Sequence, residues 1–410
     1  MPIDFNPHIM HMTPAQINVN KDYRMRQNTD VFTKNINSEI NNIDNKFDGI
    51  RISERPFGKI QKTSEQSKLY TITNRNGASV DLSTFGATIV GIKIKDKNGN
   101  LKDVTQGYNN VTPYETSPVG HAGGTIGPCA NKISNGEFEL NGKTYILEKN
   151  KDNGKTHSHG GSEGFDVRNW TAKILPDGIE FSYNKKDMES GYPGNVSAKV
   201  TYKFDNDNNL HIIYDAETDN DTVLNLTNHT YFNLDGAENT QENSIYDHIV
   251  KLPNSSRYTK NNDISVPTGE ILPVKGTPLD FSTSKRIGDV IDSDFDQLKI
   301  ASGFDQNYVI DNYDGKSLIE IADVKSSKTG INLKVSTDLP GFQFYSSNHL
   351  GKNTQPKGKD GLKYEKRSAF CIEPQFFPNA VNTKEFEIKP ILKSGEHYHK
   401  EIVYSFSISN

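Results

Sequence analysis

Three short stretches of this 410-residue chain carry side chains able to move protons or hold a polar ligand. The first is LTNHTYFNL, residues 226–234, which sets a histidine among amides and hydroxyls with a tyrosine two positions on. Read as a strand, it points successive side chains to opposite sides. Leu224, Leu226, Phe232 and Leu234 then share one face with Asn228 and Thr230, and Val223, Asn225, Thr227, His229, Tyr231 and Asn233 share the other. The first face reads as core, the second as the floor of a polar groove. The second stretch, AFCIEPQFFPNAVN (369–382), puts Cys371, Glu373 and Gln375 on one strand face and Phe370 and Ile372 on the other. A carboxylate in so apolar a run is costly unless hydrogen-bonded or solvated. Pro374 predicts that central pairing ends there, leaving Glu373 at a strand end near an opening. Two roles stay open for it: an edge glutamate facing water, or a partly desolvated carboxyl of raised pKa that acts as a general base.

The third stretch, KTHSHGGSEGF, places His157 and His159 two apart. That spacing suits a metal site or a loop imidazole that hydrogen-bonds a ligand, and does not choose between them. GGTIGPCANKI (123–133) lacks the Walker spacing and a Ser or Thr after Lys132, so its glycines read as tight turns or close backbone packing. No G-x-S-x-G elbow occurs, and no carboxylate couple can be nominated for glycoside hydrolysis. One histidine and one glutamate in a polar groove remain, an arrangement that suits a neutral, hydroxyl-rich ligand.

The elements that must position these groups are β-strands. Asn98-Gly99 and Asn141-Gly142 each lie between alternating runs, the strongest short hairpin signal because both turn residues need positive φ. Val196, Ala198, Val200, Tyr202 and Phe204 alternate, DNDNN turns, and Leu210, Ile212, Tyr214 and Ala216 alternate again. Ile331, Leu333 and Val335 mark a further strand. Such spacing predicts a large antiparallel β-sandwich over residues 66–410. Residues 1–65 read as an N-terminal appendage, rich in Asn, Lys, Asp and Gln. Within it Ile36, Ile40, Ile43 and Phe47 recur at helical spacing and predict a short amphipathic helix, which packs on the main domain or docks a partner.

Bulk properties narrow the class. With 33% hydrophobic residues, a mean hydropathy of −0.71 and a net charge of −5, neither nucleic acid nor a membrane is suggested as a partner. Two cysteines, Cys129 and Cys371, make no disulfide framework, and no ordinary signal peptide is visible, so the default location is cytoplasmic. Trp170 reads as core or groove wall, Gly191-Tyr192-Pro193-Gly194 as a turn or part of the groove rim, and His121, His157, His397 and His399 as surface or loop histidines.

Taken in order, ANKISNGEFELNGKTY, HGGSEGFDVRNW, GYPG, LNLTNHTYFNLDG, GFDQNYVI, GFQFYSSNHL and CIEPQFFPNAVN resemble the aldose 1-epimerase (galactose mutarotase) family. The likeness runs from about residue 70 to the closing GEHYHKEIVYSFSI. It implies an all-β galactose mutarotase-like supersandwich with few short helices. It also implies a free aldose such as galactose or glucose as ligand, and interconversion of its α and β anomers without metal or organic cofactor. The resemblance makes His229 the general acid and Glu373 the general base. It puts Asn131, Lys132, His159, Asp305 and Gln343 at sugar-contacting positions. Lys132 stands where the family usually has arginine, and Gln306 where it usually has histidine. These departures motivate one alternative, a non-catalytic carbohydrate-binding protein on the same fold; a second, an epimerase of hexose phosphates, is a related group that needs several cations, and Lys132 is the one permanent cation at these positions.

Overall fold

Asn141 and Gly142 both take left-handed φ, 53° and 74°, and join Glu137–Leu140 to Lys143–Ile146 with Leu140 directly opposite Lys143. This two-residue turn is the one that Asn-Gly predicts. The same chemistry recurs through the computed structural model, which describes residues 41–47, 49–116, 121–351 and 355–409. Strands dominate, the ladders between them are antiparallel, and the α-helices among the described residues, Val111–Thr116 and Asp296–Ala301, are one to two turns long. None of the described helices is long and apolar enough to cross a membrane.

Three sheets carry the architecture. A nine-stranded sheet centres on Val196–Phe204, Asn209–Thr218, His397–Ile408 and Ile331–Thr337, in that spatial order. The alternating residues picked out along these strands enter the core: Ala198, Val200, Leu210, Ile212, Leu333 and Val335 are fully buried. A six-stranded sheet runs from Asn41–Phe47 to Leu101–Asp103. A five-stranded sheet has the order Pro267–Pro273, Arg257–Asn261, Asp305–Val309, Gly341–Tyr345, Cys371–Gln375. One continuous apolar core joins side chains from all three, including Ile92, Tyr214, Phe342, Phe344 and Ile372. Trp170 lies in this core, with its Nε1–H donating to the Phe165 carbonyl.

Three local expectations are corrected. Residues 41–47, where helical spacing was read, form a strand; Ile36 and Ile40 lie outside the described residues. The isoleucines of that stretch satisfy a helical period, but pairing in a sheet overrides so short a pattern. The strand Ile50–Lys59, inside the span read as appendage, pairs with Gln66–Thr73 and sends Ile50 and Ile52 into the core. Finally, Pro374 does not end its strand. Cys371–Gln375 continues through it, with Pro374 opposite Phe342, because this strand is the edge of its sheet and the missing N–H is needed by no neighbour.

Candidate active site

The register of the last three strands of the five-stranded sheet assembles one wall of the site. Asn307 pairs with Gln343 and Gln343 with Glu373; in the adjacent row Asp305 pairs with Tyr345 and Tyr345 with Cys371. These side chains share one face, while Phe342, Phe344 and Ile372 turn to the core on the other. Gln343 Nε2 donates to Asp305 Oδ1 at 2.6 Å, and Gln375 Nε2 donates to Gln343 Oε1 at 3.4 Å.

His229 arrives from a different part of the chain. It sits between two short strands, Thr227–Asn228 and Tyr231–Phe232, so the long strand read over 226–234 is broken at the histidine. Its N–H donates to the Gly124 carbonyl and its carbonyl accepts from Gly123 N–H. Here the glycine-rich stretch does what close packing requires. Gly123 has φ 68°, and a Cβ there would lie 1.9 Å from the Ile89 carbonyl oxygen. Tyr231 stacks on the His229 ring at 4.9 Å, interplanar angle 22°, and fixes its plane.

All seven residues singled out as site residues, His229, Glu373, Asn131, Lys132, His159, Asp305 and Gln343, line one cavity of about 480 Å³. That volume falls within the ~300–1,000 Å³ of small-molecule sites. His229 Nε2 lies 3.6 Å from Glu373 Oε1. Glu373 is 2% exposed, which rules out the edge glutamate facing water. Its Oε2 is buried with no hydrogen-bond partner among the described residues. Burial, helped by the negative charge of Asp305, pushes its carboxyl well above the usual carboxylate range. Burial, the largest cause, pushes His229 down to about 3. At 3.6 Å an ion pair is geometrically open to them, yet burial opposes charge on both. Burial therefore favours the neutral forms of both, a carboxylic acid beside a neutral imidazole that share a single proton.

The donors around this couple are themselves held. Asn131 N–H donates to His159 Nδ1 at 3.2 Å, and His159 N–H returns a bond to the Asn131 carbonyl at 3.0 Å. With Nδ1 accepting, neutral His159 carries its proton on Nε2. Lys132 Nζ is ion-paired to Asp152 at 2.9 Å and donates to the Ile264 carbonyl at 2.6 Å, so it ties two rim loops together. Gln306 turns away from the cavity: Nε2 donates to the Gln297 carbonyl and Oε1 accepts from Asn261. It lies on the strand face opposite Asp305, so this departure touches the scaffold and not the cavity wall.

Cys371 Sγ is 3.6 Å from His229 Nδ1, and one ligand atom from each of His229, Cys371 and Glu373 can be chosen to lie within 4.8 Å of the others. A metal ion needs a single nitrogen from the histidine. The closest approaches here are to different ring nitrogens, Cys371 to Nδ1 and Glu373 to Nε2. The arrangement suits hydrogen bonding to both edges of the imidazole. His157, read as a surface or loop histidine, is fully buried with Nδ1 against the Glu148 carbonyl. His121, read the same way, lines the cavity. His397 and His399 are exposed, as read, beside Asp215.

The antiparallel sandwich thus carries a small-molecule cavity floored by a buried carboxyl and imidazole and lined by amides, hydroxyls, lysines and carboxylates, a lining suited to a polar ligand. A family profile described as Aldose 1-epimerase matches residues 68–405. The galactose mutarotase of Sus scrofa is 38% identical over 331 residues, covering 80% of this chain and 91% of the relative. The aldose 1-epimerase of Escherichia coli is 31% identical over 342 residues, covering 83% and 95%. Among solved structures, a GalM/aldose epimerase homologue from C. elegans superposes with a TM-score of 0.73 at 31% identity, covering 82% of this chain and 98% of that one. The chain belongs to the aldose 1-epimerase family. It is an isomerase that interconverts the anomers of aldoses.

Proposed function

We propose that Glu373 and His229 carry this interconversion as base and acid, acting on a free hexose such as galactose or glucose held by Asn131, Lys132, His159, Asp305 and Gln343. The observation that carries the reading is the 3.6 Å approach of His229 Nε2 to Glu373 Oε1 in a buried site, where burial favours the couple holding one proton on the carboxyl. Moving that proton from Glu373 to His229 creates the carboxylate and imidazolium that the reaction uses, with no proton drawn from bulk water. Glu373 then takes the proton from the anomeric O1. The C1–O5 bond breaks, its electron pair stays on O5, and His229 gives O5 its proton. The open aldehyde rotates about C1–C2. O5 adds to the other face of C1, His229 recovers its proton and Glu373 returns one to O1. Neither group is consumed, and net charge is unchanged throughout.

Each positioned group supplies on the order of 10²–10⁴ in rate. The free Oε2 of Glu373 supports its role, since a buried acceptor without a protein donor is left for a ligand hydroxyl. The likeness to the galactose mutarotase of Sus scrofa supports galactose among the free sugars. Against a phosphorylated substrate, Lys132 is the one permanent cation among the five proposed contacts, and its charge is already paired with Asp152. Polarimetry of freshly dissolved α-D-galactose, α-D-glucose and α-D-glucose 6-phosphate tests the assignment. Acceleration of the free sugars is expected, and a preference for the phosphate ester would overturn it.

A further inference from the structure

His121 is a cavity-lining histidine that the mechanism above does not use. Its Nδ1 lies 2.7 Å from Asp166 Oδ2, and that carboxylate side chain is 5% exposed whereas the His121 side chain is 29% exposed. A carboxylate can only accept, so Nδ1 carries the proton and Nε2 is the nitrogen left for the cavity, as an acceptor in the neutral ring. The His121 ring lies 4.7 Å from that of His159 and 6.0 Å from that of His229. His159 has the opposite tautomer, because the Asn131 N–H occupies its Nδ1 and leaves Nε2–H as a donor. One acceptor imidazole and one donor imidazole thus stand side by side. With ring centroids 4.7 Å apart and both residues lining the cavity, the two imidazoles are close enough for one small polar group to reach both. The backbone is bent to make the pair: His121 has φ 70° and His159 φ 53°, a conformation that non-glycine residues adopt at a cost and that gathers at functional sites.

We propose that His121, oriented by Asp166, is a substrate-contacting residue that works with His159 to read a single sugar hydroxyl: the hydroxyl oxygen accepts from His159 Nε2–H and its proton is donated to His121 Nε2. Such a site demands both the donor and the acceptor character of an alcohol. It rejects an ether, a fluorine or a bare CH₂ at that position, because each leaves a nitrogen of the pair unmatched. Asp166 acts through His121 and is a positioning residue.

The inference rests on the free-aldose reading, and its test separates the two. KM and kcat are measured by polarimetry on galactose and on its singly deoxy and deoxyfluoro analogues at positions 2, 3, 4 and 6. Three proteins are compared: wild type, His121→Phe, which keeps a ring beside His159, and His121→Asn, which suits the left-handed backbone. Both variants should raise KM for galactose about 3–10-fold, the loss expected for one neutral hydrogen bond, with kcat within about threefold. At one sugar position wild type should show a similar KM penalty for both the deoxy and the fluoro analogue. In the two variants the fluoro penalty should vanish. Wild-type KM values in both variants, or fluoro penalties that the variants leave intact at every position, would overturn the proposal while the free-aldose reading stood. A wild-type protein that accelerates no aldose would remove that reading itself.

Discussion

Gln343 lies directly opposite Glu373 across the last two strands of the five-stranded sheet, yet its amide donates away from Glu373, to Asp305. The carboxyl proposed to transfer protons is thus left without a donor on Oε2, while the residue best placed to supply one is held elsewhere. Its environment is tuned by burial and by the Asp305 charge, and four expectations follow from that arrangement.

Glu373→Gln keeps size and removes the exchangeable proton. Turnover should fall by about 10²-fold or more. Sugar affinity, measured by calorimetry, should stay within a few-fold of wild type, since Asn131, His159 and Asp305 are untouched. Normal turnover would mean that the base lies elsewhere.

The pH dependence of kcat/KM should be a broad plateau through neutrality. The couple is competent while it holds one proton. A second enters only where His229 protonates, which burial moves down from 6.5 to about 3. The proton is lost only where Glu373 ionises, which burial moves well above 4.5. A limb at an ordinary histidine pKa that disappears in His229→Asn would contradict this proton inventory.

Asp305→Asn should move the alkaline limb of that profile to lower pH. The Asp305 charge is the second cause, after burial, of the raised Glu373 pKa, and an amide removes it while its oxygen can still accept from Gln343. An unmoved limb would show that Asp305 does not reach Glu373 electrostatically.

Glu373→Gln should also stabilise the fold at neutral pH. The raised carboxyl pKa means that the folded chain retains a proton that the unfolded chain sheds above 4.5, so stability is lost as pH rises through that window. Glutamine cannot ionise and avoids the loss. Thermal unfolding at pH 7 should show a Tm increase on the order of 1–5 °C, shrinking as the pH approaches 4.5. For His229 the sign is opposite: its depressed pKa removes stability as pH falls from 6.5 towards about 3.

What the sequence could reveal follows from the range of the interactions. The Asn141-Gly142 turn, the alternating strands at 196–204 and 210–216, and the shared face of Cys371, Glu373 and Gln375 depend on neighbours in the chain, and all were legible. His229 and Glu373 could each be picked out because a titratable group in an apolar strand stands out locally. Their mutual 3.6 Å approach spans 144 positions, and only tertiary packing creates it. His121 reads as a surface or loop histidine for the same reason. Its partner Asp166 is 45 residues away, and its inward turn depends on a left-handed backbone that no local pattern announces. Gln306 looked like a change in the site, but strand alternation next to Asp305 points it at Gln297.

Polarimetry of α-D-galactose at neutral pH with wild type, Glu373→Gln and His229→Asn tests the shared-proton couple most directly. The account predicts rapid mutarotation by wild type and loss of about 10²-fold or more in each variant, with sugar binding retained. Each variant retaining near wild-type rates while properly folded would show that the buried carboxyl–imidazole couple is not the acid/base machinery of this site.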